Sequence, residues 1–393
     1  MTFLSPSAWQ SVRVPYQVPS GLEKYGIFPQ TLDMHAYVGA AIGDPSDVAF
    51  SSLPALGSNG LVDQIDWGMR LRQKGYGVII PESPGVGFSS GLTDSRGRPL
   101  RFSKVGSPLV LLTVIGRALT RLINKASASL NPKHLIQGGH SLGASLSLGL
   151  ISPDEVMMGN HGEELRAKEE TVNKLAGCIM LTGGVRGETT QWSLFGNKVH
   201  WYIRAMGAAI TNGYAKGLPL KAVEAMEEAG AWQVFRAFSG NFGNLDFERV
   251  IQATVLRSED FAHDRATLAE KLAMRIMYAE IARYYLAHPD PEDLIVDAQS
   301  AITVPTVNFL AEDDTIIPAT NTARAMQHIP KGYPLIVGGH YSGTTVHHML
   351  PHNHPEATAE LVDAAIQTIL GGHQPDSVSL SEIAFDHGLR IVG

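Results

Sequence analysis

A single cysteine, Cys178, stands in 393 residues, so no intramolecular disulfide can form and a small stapled scaffold is excluded. Cys178 falls in an apolar run over 176–181 and reads as a small buried residue. Charged residues make up only 18% of the chain, with a net charge of −7 and no long run of either sign. Nothing there offers the basic track that a nucleic acid requires. No apolar stretch reaches the roughly 18 uninterrupted residues of a membrane-crossing helix. The first ten residues lack the basic, apolar and small-residue segments of a secretion signal. The expectation is a soluble cytoplasmic protein with no nucleic-acid partner and no membrane span. Composition specifies no oligomeric state.

What is present is apolar: 44% of the residues are hydrophobic, enough for a sizeable core. Strand-like runs at 31–39, 48–53, 76–80, 134–137 and 176–181 alternate with helical spacing at 63–74, 110–126 and 144–150. That alternation predicts an α/β fold with a mostly parallel sheet flanked by helices. From about 185 to 298 no strand is predicted, and helical patterns at 219–229, 247–256 and 267–287 take over. Strand character returns at 304–310 and 334–337, and a helix closes the pattern at 356–370. The expected organisation is a core over 1–184, a helical insertion over 185–298, and a second core part with a tail over 299–393.

At 139–143 the chain reads Gly-His-Ser-Leu-Gly, with an apolar strand before it and a helical pattern after it. A serine hydroxyl is a poor nucleophile unless it is positioned, deprotonated and paired with stabilisation of the oxyanion it creates. Two flanking glycines let a strand turn sharply into a helix and leave Ser141 at the tip, with the Leu142 amide at the helix N-terminus. Upstream, residues 75–89 form a strand that runs into Pro84-Gly85-Val86-Gly87-Phe88-Ser89.

These features together resemble the α/β-hydrolase superfamily, over most of the chain outside 185–298. The resemblance implies an α/β-hydrolase fold with an inserted helical cap, and Ser141 as nucleophile. It places the acid after the strand that follows the cap. There Ala311-Glu312-Asp313-Asp314-Thr315-Ile316-Ile317-Pro318 supplies Asp314, with Asp313 as the alternative. Five histidines crowd 340–354. His340 directly follows an apolar strand and Gly338-Gly339, the family's usual placement for the base, and its interval from Asp314 also fits. His348 is the alternative, because it precedes the closing helix at a familiar interval. The oxyanion amides fall to Leu56 and Leu142, although Pro54-Ala55 replaces the family's His-Gly. Proline removes one amide and fixes φ there. No cofactor is expected, and the histidine cluster lacks the helical spacing of a zinc site.

The expected reaction is hydrolysis of a carboxylic ester through an acyl-enzyme on Ser141. Acyl transfer, thioester or amide cleavage would use the same residues, and a binding protein without turnover is the alternative of another class. About half of the aromatics fall within 185–298, among them Trp192, Trp201, Trp232 and Phe238. They predict an apolar lid, hence a small hydrophobic acyl or aromatic substrate.

Overall fold

The computed structural model describes residues 9–55, 60–153, 156, 171–187, 274, 276–285, 294–314, 316–341, 345–375 and 377–392. The helices expected at 219–229 and 247–256 lie outside them, as does the lid aromatic cluster named above. The described portion of the expected insertion is its start at 185–187 and its return from 274 onward.

Among the described residues, nine strands form one sheet: β1 (Gln10–Gln17), β2 (Thr31–Gly39), β3 (Val48–Leu53), β4 (Gly77–Pro81), β5 (His134–His140), β6 (Leu175–Leu181), β7 (Thr306–Ala311), β8 (Gly332–Gly339) and β9 (Leu389–Val392). Their order is β1-β2-β4-β3-β5-β6-β7-β8-β9. From β4 to β8 every neighbouring pair is parallel, while β1, β2 and β9 add antiparallel edges. The central strands β3, β4 and β7 are buried along their whole length. Strands covered on both faces are mostly apolar, and the polar residues they carry, Ser51 and Ser52 of β3 and Thr306 and Asn308 of β7, are buried with them.

Helices α1 (Gly60–Gln73), α7 (Pro355–Leu370) and α8 (Ser377–Asp386) lie over one face, where Trp67, Phe50, Ile366 and Leu380 share a core. Over the other face lie α2 (Pro108–Leu130) and the helical stretch 276–285, with Leu119, Ile123 and Ile281 in the second core. Helix α2 is longer than periodicity predicted because of its ends. Ser107 caps it by accepting from the Val110 amide, Pro108 occupies the first turn, and Asn131 closes it at φ 45°. The other α-helices among the described residues are α3 (Leu142–Ile151), α4 (Leu294–Ser300), α5 (Ala319–Ala325) and the single turn α6 (Leu350–Asn353).

Arg186 and the 276–285 stretch, both within the expected insertion, meet inside the core. Arg186, 1% exposed, donates through Nη1 to the carbonyls of Tyr284 (3.3 Å) and Tyr285 (3.0 Å) in the helical stretch 276–285. The buried guanidinium thereby finds backbone acceptors for its donors.

Candidate active site

The site is assembled where β5 ends. Strand β5 carries the chain to His140, and α3 begins at Leu142, so Ser141 alone makes the turn. Its φ of 54° and ψ of −120° lie outside the regions that non-glycine residues ordinarily occupy. Tight packing enforces that geometry. A Cβ at Gly143 would come within 2.2 Å of the Leu53 carbonyl oxygen, and one at Gly139 within 2.6 Å of the Gly143 backbone. Both glycines are therefore required by the close approach of α3 to the end of β3.

Ser141 Oγ lies 2.6 Å from His348 Nε2, and His348 Nδ1 lies 2.7 Å from Asp314 Oδ2. A carboxylate only accepts, so Nδ1 carries the hydrogen and Nε2 faces the serine hydroxyl as acceptor. The other carboxylate oxygen, Oδ1, accepts the amides of Ile316 and Ile317, each at 2.8 Å. Asp314 is thereby fixed by the turn that follows β7, and its free oxygen is aimed at the imidazole. All three side chains are buried, with Ser141 the most accessible at 9%. A hydroxyl, an imidazole and a carboxylate in this chain can move a proton from Ser141 to His348 and stabilise the resulting imidazolium.

No family model and no curated protein matches this sequence. Solved structures do match. An esterase from Thermogutta terrifontis shares 14% identity at a TM-score of 0.53, covering 92% of this chain and 99% of its own. An alpha/beta hydrolase enzyme, MGS-M2, from a Medee basin deep-sea metagenome library gives 14% and 0.54, covering 89% and 98%. A probable hydrolytic enzyme from Pseudomonas aeruginosa gives 15% and 0.51, covering 94% and 95%. The chain has the α/β-hydrolase fold.

Within that fold, the expected base His340 does not reach Ser141. Strand β9 pairs alongside the end of β8, Gly339 opposite Leu389, and the His340 amide donates to the Gly388 carbonyl at 3.0 Å. The His340 ring is exposed and packs edge-on against Phe385 at 4.5 Å and Tyr341 at 4.9 Å. The C-terminal residues, whose role the sequence left open, thus hold His340 at the sheet edge, and His348 stands beside the serine. Asp313, the alternative acid, does different work. Its amide and carboxylate bracket Val346, donating to the Val346 carbonyl (2.9 Å) and accepting from the Val346 amide (3.1 Å). This clamp fixes the backbone two residues before His348.

Two more residues hold the backbone of His348: His140, expected from the sequence to pack behind the elbow, and Thr182, which sequence reasoning missed. The carbonyl of His348 accepts from His140 Nε2 and from Thr182 Oγ1, both at 3.0 Å. Thr182, at the end of β6, has φ 48°, a rare conformation for a β-branched residue. The pentapeptide supplied His140, but only the neighbouring strand supplies Thr182, and the signal for it was a polar residue ending an apolar strand. Thr182→Val keeps the shape and removes one of these donors. It should lower kcat about tenfold with little change in KM, because a small displacement of the base is felt only in proton transfer. Thr182→Ser should recover most of that loss, and steady-state kinetics on one ester series would show both.

Leu142, one of the two expected oxyanion donors, begins α3 and is buried beside Ser141. Leu56, the other, lies outside the described residues. Next to Leu142 opens an apolar recess between α2, α3 and the 276–285 helix, lined by Leu112, Ile115, Leu119, Leu146 and Ile281. Among the described residues, no group of three or more metal-binding side chains is arranged to hold an ion, and no helix is long and apolar enough to cross a membrane.

Proposed function

We propose that the protein is a serine hydrolase that cleaves carboxylic esters with a hydrophobic acyl or aromatic part through an acyl-enzyme on Ser141. The observation that carries this reading is the relay from Asp314 through His348 to the strained Ser141, with contacts of 2.7 and 2.6 Å. Ser141 attacks the ester carbonyl and His348 takes its proton. The Leu142 amide, at the positive end of α3, stabilises the oxyanion together with the Leu56 amide. His348 then protonates the leaving alcohol. Water deprotonated by the same imidazole releases the acid and restores the serine.

The apolar lining of the recess beside Leu142 favours an apolar over a charged group next to α3. The esterase and hydrolase neighbours of the same fold are consistent with this chemistry. The test is a panel of p-nitrophenyl esters of graded acyl length, run on wild type and Ser141→Ala with a fluorophosphonate as active-site probe. Wild type should turn over the apolar esters and carry the probe on Ser141 within minutes, and Ser141→Ala should show no turnover above background. Folded wild-type protein that leaves Ser141 unlabelled would sink the reading. Acyl transfer to an added alcohol in place of acid release would redirect it to transferase chemistry.

A further inference from the structure

Residues from β1, β2 and the end of β4 form a second relay, at the β1 edge of the sheet. Ser11 Oγ lies 2.7 Å from His35 Nε2, and His35 Nδ1 lies 2.8 Å from Glu82 Oε2. These separations match those around Ser141 to within 0.1 Å. Strand register explains the meeting. Ser11 pairs with Tyr37 and Arg13 pairs with His35, so Ser11 and His35 are diagonal neighbours on one face of the β1–β2 ladder.

The base and the acid are buried, although Glu82 Oε1 lacks the partners that Asp314 Oδ1 finds in two amides. The side chains of His35 and Glu82 are 2% and 0% exposed. The Phe88 amide also donates to Glu82 Oε2 at 2.7 Å. The backbone around the pair is tied in a ring: Glu82 N donates to His35 O, His35 N donates to Ser89 Oγ, and Ser89 Oγ donates to Glu82 O. Gly87, at φ 53°, completes the enclosure, since a Cβ there would fall 1.9 Å from the Glu82 carboxylate. The carboxylate holds the hydrogen of His35 on Nδ1, which leaves Nε2 as acceptor for the Ser11 hydroxyl. Ser11 itself is exposed. Two aromatic rings pack edge-on to His35, Tyr37 (the strand partner of Ser11) at 4.6 Å and Phe88 at 5.2 Å, with Phe88 43% exposed.

We propose that Ser11 is a second acyl-accepting serine, modified by activated aryl esters whose ring rests on Phe88 and Tyr37. Ser11 Oγ bonds to the acyl carbon while the ester carbon–oxygen bond breaks. The serine proton passes to His35 Nε2 and from there to the departing phenolate. With a fluorophosphonate the same attack forms a serine–phosphorus bond and expels fluoride. Ser11 lies within a strand and not at a helix N-terminus, so among the described residues it has no counterpart of the Leu142 amide for the oxyanion. The site is therefore acylated slowly and once per chain, without sustained turnover.

This proposal stands on its own geometry and is tested with Ser141 removed. Full-length Ser141→Ala protein is incubated with p-nitrophenyl acetate or a fluorophosphonate, then weighed intact and mapped by peptide mass. The expected result is one adduct per chain on the peptide that carries Ser11, formed about a hundredfold faster than in urea-unfolded protein, the scale of general-base assistance. Adding Ser11→Ala should abolish it, and His35→Gln should slow it to the unfolded rate. Folded protein with no adduct on Ser11, or with an adduct that forms as fast after unfolding, would overturn the proposal. The unfolded control decides even if His35→Gln does not fold. Labelling of Ser141 in wild type is read separately, so a failure at one serine has no bearing on the other.

Discussion

His348→Ala is expected to lower kcat/KM for an apolar p-nitrophenyl ester by about a millionfold, whereas His340→Ala should stay within about twofold of wild type. A millionfold corresponds to about 8 kcal/mol of transition-state stabilisation. That size follows from interdependence: without an acceptor at Nε2 the serine keeps its proton, and the strained elbow then positions a group that cannot attack. His340 offers no such path, because its amide is bound to Gly388 and its ring to Phe385. Circular dichroism and thermal melts on both variants would show that the fold is retained. A large loss in His340→Ala with His348→Ala active would reverse the assignment.

Asp314→Asn should cost about ten-thousandfold in kcat while leaving KM close to its original value. The two oxygens of Asp314 have separate duties, Oδ1 accepting the Ile316 and Ile317 amides and Oδ2 facing His348. Asparagine can keep its oxygen on the two amides and so turns its NH2 toward the imidazole. The histidine must then accept at Nδ1 and carry its hydrogen on Nε2, which is the wrong tautomer to receive the serine proton. Asp313→Asn leaves that tautomer alone and weakens only the contact to Val346, so its effect should be far smaller. Equal losses in the two variants, measured on the same ester, would remove the distinction drawn between these neighbouring carboxylates.

Much of this arrangement was legible in the sequence because its signals are local. Gly-His-Ser-Leu-Gly between an apolar strand and a helix specifies a strained turn by itself, and Asp314 follows directly from the strand that carries it. The base was not local. An interval counted along the chain favoured His340, but the loop after β8 runs on to His348 because Asp313 clamps Val346 and β9 occupies the flank of β8. Strand β9 is only four residues long, too short for alternation to register. Strand β1 also escaped the sequence reading. Its inward Val14 and Tyr16 alternate with polar residues, but Pro15 sits between them, a residue tolerated on an edge strand and unexpected within one. Missing β1 also hid the meeting of Ser11 with His35, which exists only once β1 and β2 are paired.

Cys178 gives the molecule a clock for its own opening. The thiol lies in β6 opposite Gln137 of β5 and Thr306 of β7, is fully buried, and has its pKa pushed far up by that burial. A thiol reagent acts on the thiolate and needs access, so in the folded state the reaction is blocked twice. It proceeds only when β6 parts from its neighbours. Cys178 is the only sulfhydryl in the chain, so every modified molecule records one disruption of the sheet beneath Ser141, without any introduced label. When reclosing outpaces modification, the rate reports how often the centre of the sheet opens at equilibrium. At high reagent concentration it becomes the unfolding rate itself.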